Sequence, residues 1–71
     1  MGQLRTQFAK RLKMLRLTKG LTQAELAKAA KLSTSFVSNL ERGINAPSFE
    51  NLEGIAEALG ITVKDLFDFE N

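Results

Sequence analysis

Apolar residues recur along the chain at helical rather than strand spacing. Leu4, Phe8, Leu12 and Leu15 are separated by 4, 4 and 3 positions, one stripe of a helix over about 3–18, with Lys10, Arg11 and Lys13 off it. Gly20 supplies the stop. Thr22 followed by Glu25 forms a capping box ahead of Leu26 and Ala27, opening a short helix over about 22–30. Ser33 is the N-cap of a helix over about 33–42 that buries Val37 and Leu40 and ends at Gly43. Residues 43–47, GINAP, read as a loop. Ser48 caps a fourth helix, about 48–59, expected to turn Phe49, Leu52, Ile55, Ala56 and Leu59 inward before Gly60 stops it. Thr62 with Asp65 repeats the capping box, and Leu66 and Phe67 form the apolar side of a fifth helix over about 62–68. No four-residue stretch reads as a strand. The pattern predicts an all-α, compact five-helix fold in a single domain, 1–71.

Length sharpens this picture. Seventy-one residues leave no room for a second core. A chain of that size hides only about 60% of its unfolded surface, so a staple or a partner would help it. With no cysteine, disulfides cannot be that staple, and with no histidine either, Cys/His zinc sites, thiol nucleophiles and His-based triads are excluded. Apolar runs are too short to span a membrane, and Arg5, Lys10 and Arg11 interrupt anything resembling a signal peptide. A cytoplasmic location is the expectation.

Net charge, only +2, conceals a division. Residues 1–47 hold nine of the ten Lys/Arg against Glu25 and Glu41, a balance of +7. Residues 48–71 hold Lys64 against Glu50, Glu53, Glu57, Asp65, Asp68 and Glu70, a balance of −5. Such a chain offers its basic side to a polyanion, although segregated solvated faces would give the same split.

The most informative stretch is residues 22–43, TQAELAKAAKLSTSFVSNLERG. Two short helices joined by three or four residues must cross steeply, with Ala27 supplying the thin point of contact. Leu26, Leu32, Val37 and Leu40 fill the angle between them. The outer face of the second helix is left with Thr34, Ser35, Ser38, Asn39 and Arg42, a small polar surface of the kind the DNA major groove admits.

On these residues the chain resembles the phage-repressor-like (Xre family, Cro/repressor-type) helix-turn-helix proteins. GLTQxELA, LERG and the later PSxxxLxxIAxALG, all present here, carry the resemblance across about 8–67. It implies a lambda-repressor-like domain whose helices 2 and 3 form the DNA-binding motif, acting as a sequence-specific regulator of transcription on double-stranded DNA. A homodimer on an inverted-repeat operator is expected, with no catalytic activity, no cofactor and no metal.

Residue by residue, the resemblance assigns base contacts to Thr34, Ser35 and Asn39, where Asn can bond adenine bidentately and Ser and Thr are less selective. A face that touches only phosphates is the alternative. Gln23 matches the glutamine that binds a DNA phosphate at the start of the scaffold helix. Ser33, Ser38, Arg42 and Asn45 suit backbone phosphates, Ser33 being a cap first. Phe36 is assigned to the rim of the core, with contact between its edge and a thymine methyl as the alternative. Arg16 and Glu41 match a partly buried ion pair tying helix 1 to the end of the recognition helix, with a phosphate contact as a secondary role for Arg16. Two positions depart from the pattern. Lys31 occupies a turn position commonly held by glycine and would bear the cost of a left-handed backbone. Ser48 stands where some phage repressors place an arginine for the minor groove, so no minor-groove readout is expected.

Glu50, Glu53 and Glu57 form a carboxylate ridge, but no nucleophile, base or phosphate loop accompanies them, and a solvated face accounts for it. The stronger rival function is an adaptor or antitoxin that binds a protein partner through its C-terminal surface. Leu66, Phe67 and Phe69 are apolar enough to serve as a candidate dimer surface or simply to cap the core.

Overall fold

The computed structural model describes residues 3–69; Met1, Gly2, Glu70 and Asn71, and with them the charge of Glu70 and the ends of the expected 1–71 domain, lie outside the described residues. Five helices follow in order: α1 (Gln3–Thr18), α2 (Gln23–Ala30), α3 (Thr34–Glu41), α4 (Phe49–Leu59) and α5 (Val63–Leu66). They fill a body of 30 × 21 × 21 Å.

Helices α2 to α5 each start where a hydroxyl side chain meets orphan backbone N–H groups. Thr22 Oγ1 accepts from the Glu25 N–H at 3.0 Å while Glu25 Oε1 accepts from the Thr22 N–H at 2.8 Å. Thr62 and Asp65 repeat the box. Ser48 does so with Asn51, a partner outside the glutamate-or-aspartate pattern. Ser33 caps α3 through the Phe36 N–H.

The first four helices all end in the same way. One residue turns left-handed, its N–H bonds three residues back, and the next N–H reaches five residues back. The pairs are Gly20/Leu21, Lys31/Leu32, Gly43/Ile44 and Gly60/Ile61, with the longer bonds running to Arg16, Ala27, Asn39 and Ala56 at 2.8–3.1 Å. Three of the four turning residues are glycine. Lys31, at φ 60°, is the exception, and is the non-glycine position in the left-handed region among the described residues.

Phe8, Leu12, Leu26, Val37, Leu40, Ile55, Leu59 and Leu66 form the center of one core, with Ala27, Ala30 and Ala56 where backbones come close. α2 packs on both α3 and α4, and α1 closes over α3 and α5. Gly54, inside α4, reflects the α2–α4 approach: a Cβ there would stand 3.2 Å from the Ala30 carbonyl oxygen. Helix period alone does not reveal that requirement.

Three inward or outward assignments need correction. Leu4 and Phe49, which stripe position puts in the core, are exposed, Phe49 by 86%. Each sits in the first turn of its helix, where the apolar stripe runs past the end of the core. Leu66, a candidate dimer-surface residue, is fully enclosed. It faces the core from a helix of four residues, shorter than the expected 62–68, and offers nothing to a partner.

Candidate nucleic-acid interface

The α2–turn–α3 unit is fixed from behind and open in front. Val37 and Leu40 have no exposed surface, so the inner face of α3 cannot rotate without emptying the core. Phe36 is half-buried against the same cluster, at its rim as expected. On the outer face Thr34, Ser35 and Arg42 are exposed, and Ser38 and Asn39 half-exposed. Among the described residues no hydrogen bond within the protein engages the side chains of Thr34, Ser35, Ser38 or Asn39, so their polar groups are free for a ligand. The Asn39 backbone carbonyl accepts from the Ile44 and Asn45 N–H groups at 3.0 and 3.3 Å. Thus the 43–47 loop, with half-buried Asn45, is clamped to the last turn of α3. Ser33, exposed at the other end, has its oxygen occupied by the Phe36 N–H and keeps its hydroxyl proton to donate.

A buried polar knot holds this unit to α1. Arg16 donates from Nε to Glu41 Oε2 at 2.6 Å, from Nη2 to Glu41 Oε1 at 3.0 Å, and from Nη1 to the Leu21 carbonyl at 2.7 Å. The two side chains are 8% and 3% exposed. The fork geometry and charge on both partners make these bonds stronger than neutral ones. Hydrogen bonding to Glu41, opposed by burial, raises the Arg16 pKa above its already high ordinary value.

Gln23 joins the knot, which spacing does not reveal. Its Nε2 donates to Glu41 Oε1 at 3.0 Å. A carboxylate only accepts, so the amide is oriented with nitrogen toward Glu41, leaving one amide hydrogen for another acceptor. The assignment of Gln23 to a phosphate therefore concerns a side chain held in place before any ligand arrives. Gln23 is the first residue of α2, where free backbone N–H groups favour an anion.

The remaining candidate residues lie apart from this site. Phe67 and Phe69 are half-buried near the C-terminal end of the chain, Phe67 stacked on Phe8 at 5.4 Å between ring centroids and edge-on to Phe69 at 6.0 Å. Glu50, Glu53 and Glu57 stand exposed on α4. No described helix is long and apolar enough to cross a membrane.

An all-α domain presenting a buried-backed, polar-fronted α3 through a three-residue turn from α2 is a helix-turn-helix protein. The HTH_3 helix-turn-helix family model matches residues 12–66, and the chain belongs to that family of DNA-binding transcriptional regulators, which are not enzymes. The chain is 37% identical over 67 residues to the control protein C.BamHI of Bacillus amyloliquefaciens, covering 93% of this chain and 83% of that one. It is 42% identical over 62 residues to the HTH-type transcriptional regulator DdrOP3 of Deinococcus deserti, which covers 87% of this chain but 48% of that regulator, so the chain spans about half of that relative's length. Among solved structures, the restriction-modification controller protein C.AhdI from Aeromonas hydrophila superposes with a TM-score of 0.87 at 40% identity, over 89% of this chain and 96% of that one.

Proposed function

We propose that this chain regulates transcription by reading a specific double-stranded DNA sequence as a homodimer in the bacterial or phage-type cytoplasm, with α3 in the major groove. The observation that carries this reading is the outer face of α3: the side chains of Thr34, Ser35 and Asn39 have no hydrogen-bond partner among the described residues, on a helix whose other face is locked into the core. Asn39 would read an adenine edge, with Thr34 and Ser35 adding less selective contacts. Phosphate contacts from Gln23, Ser33, Ser38, Arg42 and Asn45 would fix the register. The +7 balance of residues 1–47 supports the approach to a polyanion. Kinship with regulators and controllers supports the same reading.

Selection from a random duplex library at near-physiological salt tests it. The expected winner is an inverted repeat with half-sites about 34 Å, one helical turn, apart. Absence of any enriched sequence, with only steeply salt-sensitive binding left, would refute it and favour the adaptor reading.

A further inference from the structure

Nine cations lie in residues 1–47, and the fold commits them differently. Arg16 is neutralised inside the knot, and Arg11 donates from Nε to the Asp65 carbonyl at 3.0 Å. Lys10 stands two positions from fully buried Leu12, about 200° around α1, and so faces away from the helices that α1 covers. Arg5 is placed otherwise. It is exposed, and its Nη1 donates to the Ile44 carbonyl at 3.2 Å. The N–H of that same peptide group, on Asn45, points the opposite way and donates to the Asn39 carbonyl at 3.3 Å. A single peptide thus bridges Arg5 to the backbone of the residue expected to read a base. The first turn of α1 rests on the loop here, since a Cβ on Gly43 would stand 4.0 Å from the Thr6 Cα. Arg5 also lines, with Leu4, Pro47 and Phe49, the open groove between the first turns of α1 and α4, an apolar bed for its stem.

We propose that Arg5 is a further DNA-contact residue, reaching from α1 to supply the cation of the α3–α4 loop and to hold a backbone phosphate of the strand that Asn45 meets. The inference rests on the DNA-reading function above and adds to it a contact from outside the helix-turn-helix unit. Three observations support it. First, the loop lacks a charge of its own: residues 43–47, GINAP, carry no cation beside Asn45. Second, the correct edge of the guanidinium is free. Arg16 grips the Glu41 carboxylate with Nε and Nη2, the parallel fork that fits two oxygens of one anion. In Arg5 that fork has no partner among the described residues, because only Nη1 is engaged, and no carboxylate pairs with it. Third, the distance suits a groove wall. Through the shared peptide, Arg5 Nη1 lies within about 9 Å of the Asn39 carbonyl oxygen. A major groove about 12 Å wide and 8.5 Å deep puts its bounding phosphates about 10 Å from the base edges at its floor.

Binding of the full chain to duplex DNA across a salt series is the test, with Arg5→Gln and Arg5→Lys beside the wild type. Arg5→Gln removes the charge and should lower the slope of log affinity against log salt by about 0.9 per protomer. Its deficit should therefore be about 3.5-fold larger at 50 mM than at 200 mM salt, and equal for the selected duplex and for variants of it. Arg5→Lys keeps the charge and should keep the slope. Both variants should melt at the wild-type Tm, since the side chain is exposed. A scan of methylphosphonates, each removing one backbone charge from the duplex, supplies the direct readout. One position should weaken the wild type and leave Arg5→Gln unaffected. An unchanged slope in Arg5→Gln, an equal loss of slope in Arg5→Lys, a deficit confined to changes at one base pair, or a methylphosphonate profile that Arg5→Gln does not alter would each overturn the proposal. Failure of the DNA reading is distinguishable. A wild type that selects a sequence with a slope indifferent to Arg5 refutes the Arg5 contact alone. A wild type that binds all duplexes alike, with a slope that falls in Arg5→Gln, refutes sequence-specific reading alone.

Discussion

Removing Glu41 is the perturbation that most directly tests how the interface is held. In Glu41→Ala, Arg16 keeps its charge and its place, 8% exposed, but loses both carboxylate bonds and retains only the Leu21 carbonyl. A buried charge deprived of its partner costs about 3–5 kcal/mol. A domain of this length has a total stability of about 4–11 kcal/mol, so the loss takes about a quarter of it or more. At about 4–8 °C per kcal/mol, Tm should fall on the order of 20 °C. The reverse deletion, Arg16→Met, leaves Glu41 with only the Gln23 amide and should cost a similar amount.

The informative measurement is the double-mutant cycle in urea or thermal unfolding. Arg16→Met with Glu41→Leu, set against each of these two substitutions alone, removes both charges and keeps the volume, leaving the Leu21 carbonyl as the principal unpaired group, worth about 1–3 kcal/mol. The double variant should therefore be more stable than at least one single variant, with a coupling energy of at least about 2 kcal/mol. Single losses below about 1 kcal/mol that simply add would mean the pair behaves like a solvated surface pair, and the reasoning from burial would be wrong. The pH dependence has a defined sign. Since hydrogen bonding raises the Arg16 pKa, its stabilisation is complete below the ordinary arginine value and is lost only as pH rises through a still higher one. The coupling should hold unchanged to about pH 10.

Lys31→Gly, by relieving the left-handed backbone at φ 60°, should stabilise the domain by about 1 kcal/mol in urea unfolding, while Lys31→Ala, which removes the charge but not the strain, should not. Hydrogen bonds from the Thr62 backbone and side chain hold the Asp65 carboxyl below its ordinary value, so its stabilisation is present above that value and lost as pH falls through the lower folded one. Asp65→Asn should flatten the acid limb of a stability–pH curve below about pH 4. On the selected operator, Asn39→Ala should cost about 1–3 kcal/mol of binding and relax preference at one base position in repeated selection. Gln23→Ala should weaken all duplexes alike, and Arg42→Ala should in addition lower the salt slope by about 1.

What the sequence discloses follows how local each cause is. Helix starts and stops are set by a residue and its neighbours within five positions, and the hydroxyl caps at 22, 33, 48 and 62 and glycines at 20, 43 and 60 are readable for that reason. The polar front of α3 follows from helical period alone. Elements that depend on where a helix ends relative to its neighbours are not readable. Period places Leu4 and Phe49 on the same stripes as Leu12 and Ile55, yet where the other helices end decides that the core stops short of them, leaving both exposed. The same holds in reverse for Leu66, which looks like surplus apolar surface until α5 is seen folding it under α4 and α1. Gly54 and Gln23 are similar, because the carbonyl of Ala30 and the carboxylate of Glu41 that give them meaning come from distant elements.

These unreadable features share a consequence. The knot of Arg16, Glu41 and Gln23 joins α1, the start of α2 and the end of α3, so the helix expected to enter the groove and the amide expected to meet the phosphate are positioned by one carboxylate. The α3–α4 loop then runs from the Asn39 carbonyl to the groove beside Phe49. A chain of contacts therefore extends from the proposed phosphate contact, through the reading face, to the α3–α4 loop. With Gln23 and α3 held by the same carboxylate, the register between phosphate contact and base contact would be a property of the folded protomer rather than something DNA must impose. Loosening the knot should then narrow the difference in affinity between the selected duplex and others, in addition to lowering stability.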